Sequence, residues 1–313
     1  METVPARQGF RFAMMNAHYL RYSPDYFMDA VARRGFHEID VLGLMPHLYA
    51  PDTGPEEIAH IQQLLQRYQL HIAAYTPGQA AAQLGLSMSH APAHRRSIGM
   101  MKKSVDIAAA LGAPSILVTS GFGLCDRPAD ERWGLFRESV EEIADYAGRF
   151  HIDLLLEPLP LEASNVLVTS EDAARFIRET NLANIKCILD VTTMTMENET
   201  VDAYFDNLGD RLTYVHLSDG PGQHLYPGNG SYDLDGFLER LRVNGYQGVI
   251  ALEIKDPSCI YRPNTATDRS IQWLEAVACG RRLLTGKKNE YAACSYEGYT
   301  GYGLLPPICS RCF

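Results

Sequence analysis

The 313-residue sequence has no run of about 18 apolar residues, the length a helix needs to cross a bilayer. Nor does it show a basic start followed by an apolar stretch and a small-residue cleavage site. The expectation is a cytoplasmic protein without membrane contact. Basic residues are also in short supply: 28 Lys and Arg stand against 38 Asp and Glu, a formal net charge of -10. Such a surface repels phosphate backbones at long range, which argues against a nucleic-acid partner. There is no GxxxxGK loop, and Gly228-Asn229-Gly230 reads as a turn, so no phosphate handle is expected. Cysteine is sparse in the main body, where Cys125, Cys187 and Cys259 are widely spaced, and the total of seven is odd. These three are expected to be reduced thiols.

What is present is an ordinary globular composition, 46% hydrophobic and 21% charged, with a regular alternation of short β-type runs and longer amphipathic segments. Eight such runs are Phe10 to Met14, His37 to Leu42, His71 to Tyr75, Ser115 to Thr119, Asp153 to Glu157, Ile185 to Asp190, Leu212 to His216 and Val249 to Glu253. Helical spacing marks Pro55 to Tyr68, His94 to Leu111, Glu131 to Phe150, Asp235 to Asn244 and a last segment near Asp268 to Ala278. Ser23 before Pro24, and Ser170 before Glu171 and Asp172, are candidate helix caps. Runs such as Ile152 to Leu156 do not alternate, which suits parallel strands covered on both faces. The class is α/β, a single (β/α)8 barrel over residues 1–278, with an irregular tail over 279–313. Cys309-x-x-Cys312 in that tail is a weak zinc signal because it lacks a second pair.

The last four runs each end in a side chain able to hold a metal: Glu157, Asp190, His216 and Glu253. In a barrel the C-terminal strand ends converge on one mouth, so residues distant in sequence become neighbours there. Any one of these acids taken alone reads equally well as a helix cap or a partner of Arg or Lys, and a lone histidine reads more readily as a satisfied core residue. Four in four consecutive strands favour a site. Three carboxylates and one imidazole suit one divalent ion such as Mn²⁺, Co²⁺ or Mg²⁺ better than a structural zinc cage.

The segments LLLEPLP, CILDV, YVHLSDG and IALEIKD resemble the metal-binding strands of the xylose isomerase-like sugar isomerases and epimerases, over roughly residues 10 to 278. Within that family Met45-Pro46-His47, Ala74-Tyr75-Thr76-Pro77, Ser164-Asn165-Val166 and Tyr226-Pro227-Gly228-Asn229-Gly230 are most similar to the fructoselysine 3-epimerase subfamily. The resemblance implies that Glu157, Asp190, His216 and Glu253 bind the metal and that Glu157 and Glu253 double as acid and base. Epimerisation at C3 of a ketose needs a proton removed beside a carbonyl, and a cation that stabilises the enediolate makes this feasible.

Many relatives carry a histidine three residues after the strand-six aspartate, where this chain has Thr193, and an arginine before the turn after strand seven, where it has Gln223 and His224. These departures point away from a simple free ketohexose and toward a sugar or sugar-amine derivative. His224, Asn165 and His47 are the candidate substrate contacts. The same ligands also serve hydroxypyruvate isomerases and inosose dehydratases. An endonuclease IV-type enzyme, with its histidine-rich cluster, and a non-catalytic sugar-binding barrel fit less well. Self-association into a homo-oligomer stays open.

Overall fold

Eight parallel strands close into a barrel in the computed structural model of the chain, which describes residues 9–79, 84–220 and 222–278. The strands are β1 (Arg11–Met15), β2 (Glu38–Gly43), β3 (His71–Pro77), β4 (Ser115–Val118), β5 (Asp153–Leu156), β6 (Ile185–Asp190), β7 (Leu212–Leu217) and β8 (Val249–Leu252). Each pairs with the next, and β8 returns to β1 through Arg11 opposite Val249. The helices are α1 (Pro24–Ala32), α2 (Pro55–Tyr68), α3 (Ala91–Leu111), α4 (Ala129–Gly148), α5 (Ser170–Thr180), α6 (Val191–Met196), α7 (Val201–Leu208), α8 (Leu234–Val243) and α9 (Pro263–Ala278). The tail read from the sequence, with Cys279, Cys294, Cys309 and Cys312, lies outside the described residues. Among the described residues Cys125, Cys187 and Cys259 are free thiols, and no helix is long and apolar enough to cross a membrane.

Local chemistry sets the helix ends. Pro24 and Pro55 occupy first turns, where a missing N–H costs nothing, and the Ser23 hydroxyl accepts from Tyr26 N at 3.2 Å. The cap of α5 is Thr169, one residue before the expected Ser170. Its hydroxyl accepts from Asp172 N while the Asp172 carboxylate accepts from Thr169 N at 3.0 Å, a reciprocal pair that Ser170 cannot form. The last helix begins at Pro263, earlier than its periodicity suggests.

Strand period two sorts the core into two layers. Phe12, Met14, Leu154, Leu156, Leu189, Val215 and Leu252 face outward into the shell between strands and helices. Ala13, Ala73, Leu117, Leu155, Ile188, Tyr214 and Ala251 fill the barrel interior. The next inward position after Leu155, Ile188, Tyr214 and Ala251 lies two residues further along each strand, and there stand Glu157, Asp190, His216 and Glu253. Glu157 and Glu253 lie just past the strand ends, but the ladder continues through them: Glu157 N donates to Val118 O and Glu253 N to Leu217 O, both at 3.0 Å.

Paired side-chain amides tie neighbouring loops at the mouth. Asn16 accepts from Leu42 N at 2.7 Å and donates to Leu42 O at 3.1 Å. Gln79 brackets Thr119 in the same way, at 2.8 and 3.1 Å, and Asn165 brackets Gly123 with both bonds at 2.9 Å.

Candidate metal centre

One ligand atom from each of Glu157, Asp190, His216 and Glu253 lies within 4.8 Å of the others, and all four residues are buried. The imidazole of His216 stands at the middle. Its Nδ1 lies 3.1 Å from Glu253 Oε2 and 3.3 Å from Glu157 Oε1, and its Nε2 lies 3.0 Å from Asp40 Oδ2. Asp190 closes β6 and also caps α6, its Oδ1 accepting from Thr193 N at 2.6 Å. The bland reading of that aspartate as a helix cap is therefore true of one oxygen, while the other stays free to face the cluster.

Asp190 Oδ2 is buried and accepts no hydrogen bond, and the buried Glu253 Oε2 is met by imidazole nitrogens alone, His216 Nδ1 at 3.1 Å and His224 Nε2 at 3.5 Å. An orphaned buried carboxylate oxygen is costly, by about 1–3 kcal/mol or more for a charged group. Carboxylate oxygens that converge in this way beside one imidazole are the donors a hard divalent cation takes up. The three carboxylates and one imidazole thus fit such an ion.

The electrostatics of the centre are uneven. Burial pushes the Glu157 carboxyl above the usual range, with His216 opposing. Burial acts on Glu253 in the same sense, but Lys255, His216 and His224 outweigh it and hold that carboxyl well below the usual range. Lys255 Nζ lies 2.6 Å from Glu253 Oε1, and its side chain is half exposed. For His216 burial disfavours the charged ring, yet Glu253, Asp40 and Glu157 together push its pKa well above the ordinary value.

Of the other candidates, His224 sits beside the cluster, its Nε2 being 3.5 Å from Glu253 Oε2 and 3.7 Å from Asp190 Oδ2. Its backbone is fixed by Lys255 N, which donates to His224 O at 2.9 Å. The loop that carries it is knotted around the buried Asp219, which accepts from Gly228 N, Gly230 N and Tyr232 N at 2.7, 3.0 and 3.1 Å. A Cβ on Gly230 would lie 2.0 Å from Asp219 O, so only glycine fits this turn. Asn165 uses its amide on Gly123, and His47 is buried with Nε2 2.9 Å from Tyr22 O. Both hold backbone near the mouth.

Sequence reasoning missed Asp40 and Lys255. Lys255 lies two positions beyond Glu253 in IALEIKD, and that period-two spacing alone places it on the same side of the chain. Exposed apolar side chains stand on loops that follow the strand ends: Met45, Phe122, Leu161 and Tyr261 lie after β2, β4, β5 and β8.

The family model described as "Xylose isomerase-like TIM barrel" matches residues 28–277. The chain belongs to this family. Fructoselysine 3-epimerase of Shigella flexneri is 29% identical over 231 residues, covering 73% of this chain and 83% of that protein. L-ribulose 3-epimerase of Methylomonas sp. is 28% identical over 250 residues, covering 74% and 82%. Among solved structures, a D-tagatose 3-epimerase-like protein superposes with a TM-score of 0.72 at 19% identity, covering 87% of this chain and 99% of that one, a likeness of fold. The named relatives are carbohydrate epimerases and isomerases, and by class this chain is an isomerase.

Proposed function

We propose that this chain is a divalent-metal-dependent 3-epimerase of a ketose derivative, with fructoselysine as the first substrate to test. The observation that carries the reading is the buried convergence of Glu157, Asp190, His216 and Glu253, with Asp190 Oδ2 left without a hydrogen-bond donor. Glu157, Asp190, His216 and Glu253 would hold the ion, Mn²⁺ or Co²⁺ being suited to three carboxylates and one imidazole. A cation held by these four residues would supply Lewis-acid stabilisation of the negative charge that develops beside the carbonyl.

The chain's own groups do the proton work. Glu157 and Glu253 act as a reversible acid/base pair across the planar enediolate, one removing the C3 proton and the other delivering one to the opposite face. Lys255 keeps Glu253 ionised and ready to accept a proton. His224, beside Asp190 and Glu253, contacts a substrate hydroxyl. Asn165 and His47 shape the mouth through the backbone they hold. The apolar side chains of Met45, Phe122, Leu161 and Tyr261 favour a ketose that carries a carbon chain beyond the sugar, as fructoselysine does.

Incubation of the metal-loaded enzyme with fructoselysine and free ketoses in D₂O, followed by proton NMR, tests the reading. Deuterium should enter at C3 as the second epimer appears, fastest with the derivatised ketose. Exchange confined to C1 would make the enzyme an aldose-ketose isomerase instead. A "Putative hydroxypyruvate isomerase" of Streptomyces coelicolor, 25% identical over 81% of this chain, gives that outcome a precedent.

A further inference from the structure

Asp40 has no polar neighbour in sequence to explain it: it sits mid-strand in Glu38-Ile-Asp-Val-Leu-Gly on β2, fully buried. A carboxylate inside a barrel is expensive unless its lone pairs are taken, and replacement of such a group by an apolar one is commonly neutral or stabilising. Here three donors converge on it. The Thr76 hydroxyl donates to Oδ1 at 2.8 Å, the Tyr214 hydroxyl donates to Oδ2 at 3.0 Å, and His216 Nε2 lies 3.0 Å from the same Oδ2. Two neutral hydroxyls from β3 and β7 hold the carboxylate still, and the imidazole is the third donor to it. The arrangement is a strut that crosses the barrel from β2 to β7, 176 residues apart in sequence.

The strut touches the face of the ring that points away from the cluster. Once Nε2–H is committed to Asp40, the other ring nitrogen, Nδ1, is left facing Glu253 and Glu157 at 3.1 and 3.3 Å. The two nitrogens of an imidazole are chemically distinct, and the hydrogen bond made by one decides what the other offers. We propose that Asp40 is the positioning residue of the centre: by accepting Nε2–H of His216 it selects the tautomer and ring plane that present Nδ1 to a divalent cation. This rests on the metal-site reading given above.

The test uses cobalt as the probe, with Kd measured by equilibrium dialysis and the visible Co²⁺ spectrum. Asp40→Asn, nearly isosteric, should weaken Co²⁺ binding about 10–100-fold and change its spectrum, while the far-ultraviolet circular dichroism of the metal-free protein stays as in wild type. In a His216→Ala background the same substitution should add nothing, because the group it positions is gone. A second, variant-free measurement protects the inference from misfolding: nitrogen NMR of the Zn²⁺-loaded wild-type protein should show His216 protonated at Nε2 with the metal on Nδ1. Unchanged Co²⁺ affinity in Asp40→Asn, an equal loss with and without His216, or metal on Nε2 would each overturn the positioning role. If His216→Ala itself kept wild-type Co²⁺ affinity, the metal-site reading would fall first, and the role of Asp40 with it.

Discussion

His18, in the turn after β1, carries a prediction that the burial of its ring makes quantitative. The side chain is fully enclosed, its Nε2 is 3.1 Å from Thr267 Oγ1 on α9, and its Nδ1 has no hydrogen-bond partner. Burial pushes its pKa down from 6.5 to about 3. Between those values the unfolded chain binds a proton that the folded protein excludes. The contribution is therefore intact above about pH 6.5 and is lost progressively as the pH falls below it. At pH 5 the free-energy difference is RT ln(1 + 10^1.5), about 2 kcal/mol, which for a domain of this size lowers the thermal midpoint by about 4–8 °C. The assay compares metal-free wild type with His18→Gln, whose amide nitrogen takes the place of Nε2, at pH 8 and pH 5. Whatever the substitution costs at pH 8, its loss on acidification should be smaller than that of wild type by about 2 kcal/mol. The His18 ring signal should also show no titration above pH 5. Equal acid sensitivity in the two proteins, or a ring titrating near 6.5, would refute the reasoning.

Asp190→Ala and His216→Ala should each lose divalent metal and turnover together, read as metal content after dialysis beside a rate assay; full occupancy in both variants would dismantle the centre. Glu157→Gln and Glu253→Gln should keep the fold but lose about 10²–10⁴-fold in epimerisation rate, and each retains deuterium wash-in only for the epimer that meets its remaining carboxylate. Gly230→Ala forces a Cβ against Asp219 O, so it should lower stability by about 1–3 kcal/mol and reduce turnover through His224; a wild-type melting curve would contradict the close approach. A chain ended at Ala278 should fold and turn over, since β8 and every candidate ligand precede that point, and its circular dichroism and activity check this.

The barrel was legible because parallel strands and their crossovers leave different periods in the sequence. The eight β-type runs overlap the eight strands, and Pro55 to Tyr68 coincides with α2. The convergence of Glu157, Asp190, His216 and Glu253 was legible because all four close consecutive strands, and a barrel brings consecutive strand ends to one mouth. Asp40 was not, since it lies mid-strand between Ile39 and Val41 rather than at a strand end, where the mouth collects side chains. The cap of α5 was misplaced by one residue because Thr169 and Ser170 are chemically equivalent as caps, and only the reciprocal bond to Asp172 separates them. Asn165 and His47 carry polar groups suited to a sugar, and whether such a group meets substrate or backbone depends on loop geometry that spacing does not encode.

The amide brackets at the mouth give the protein a chemical clock. Each bracket places a donor nitrogen and an acceptor oxygen side by side on one side-chain end, the two-atom geometry of the asparagine and glutamine amide. Hydrolysis of such an amide to a carboxylate replaces the N–H donor with an oxygen that faces a backbone carbonyl, and the bracket becomes a repulsion. Asn16 and Gln79 are sealed from water, while Asn165 is partly exposed. Among the three brackets, slow deamidation on storage or heating, a known weakness of these side chains, should therefore reach Asn165 first and free the Gly123 loop.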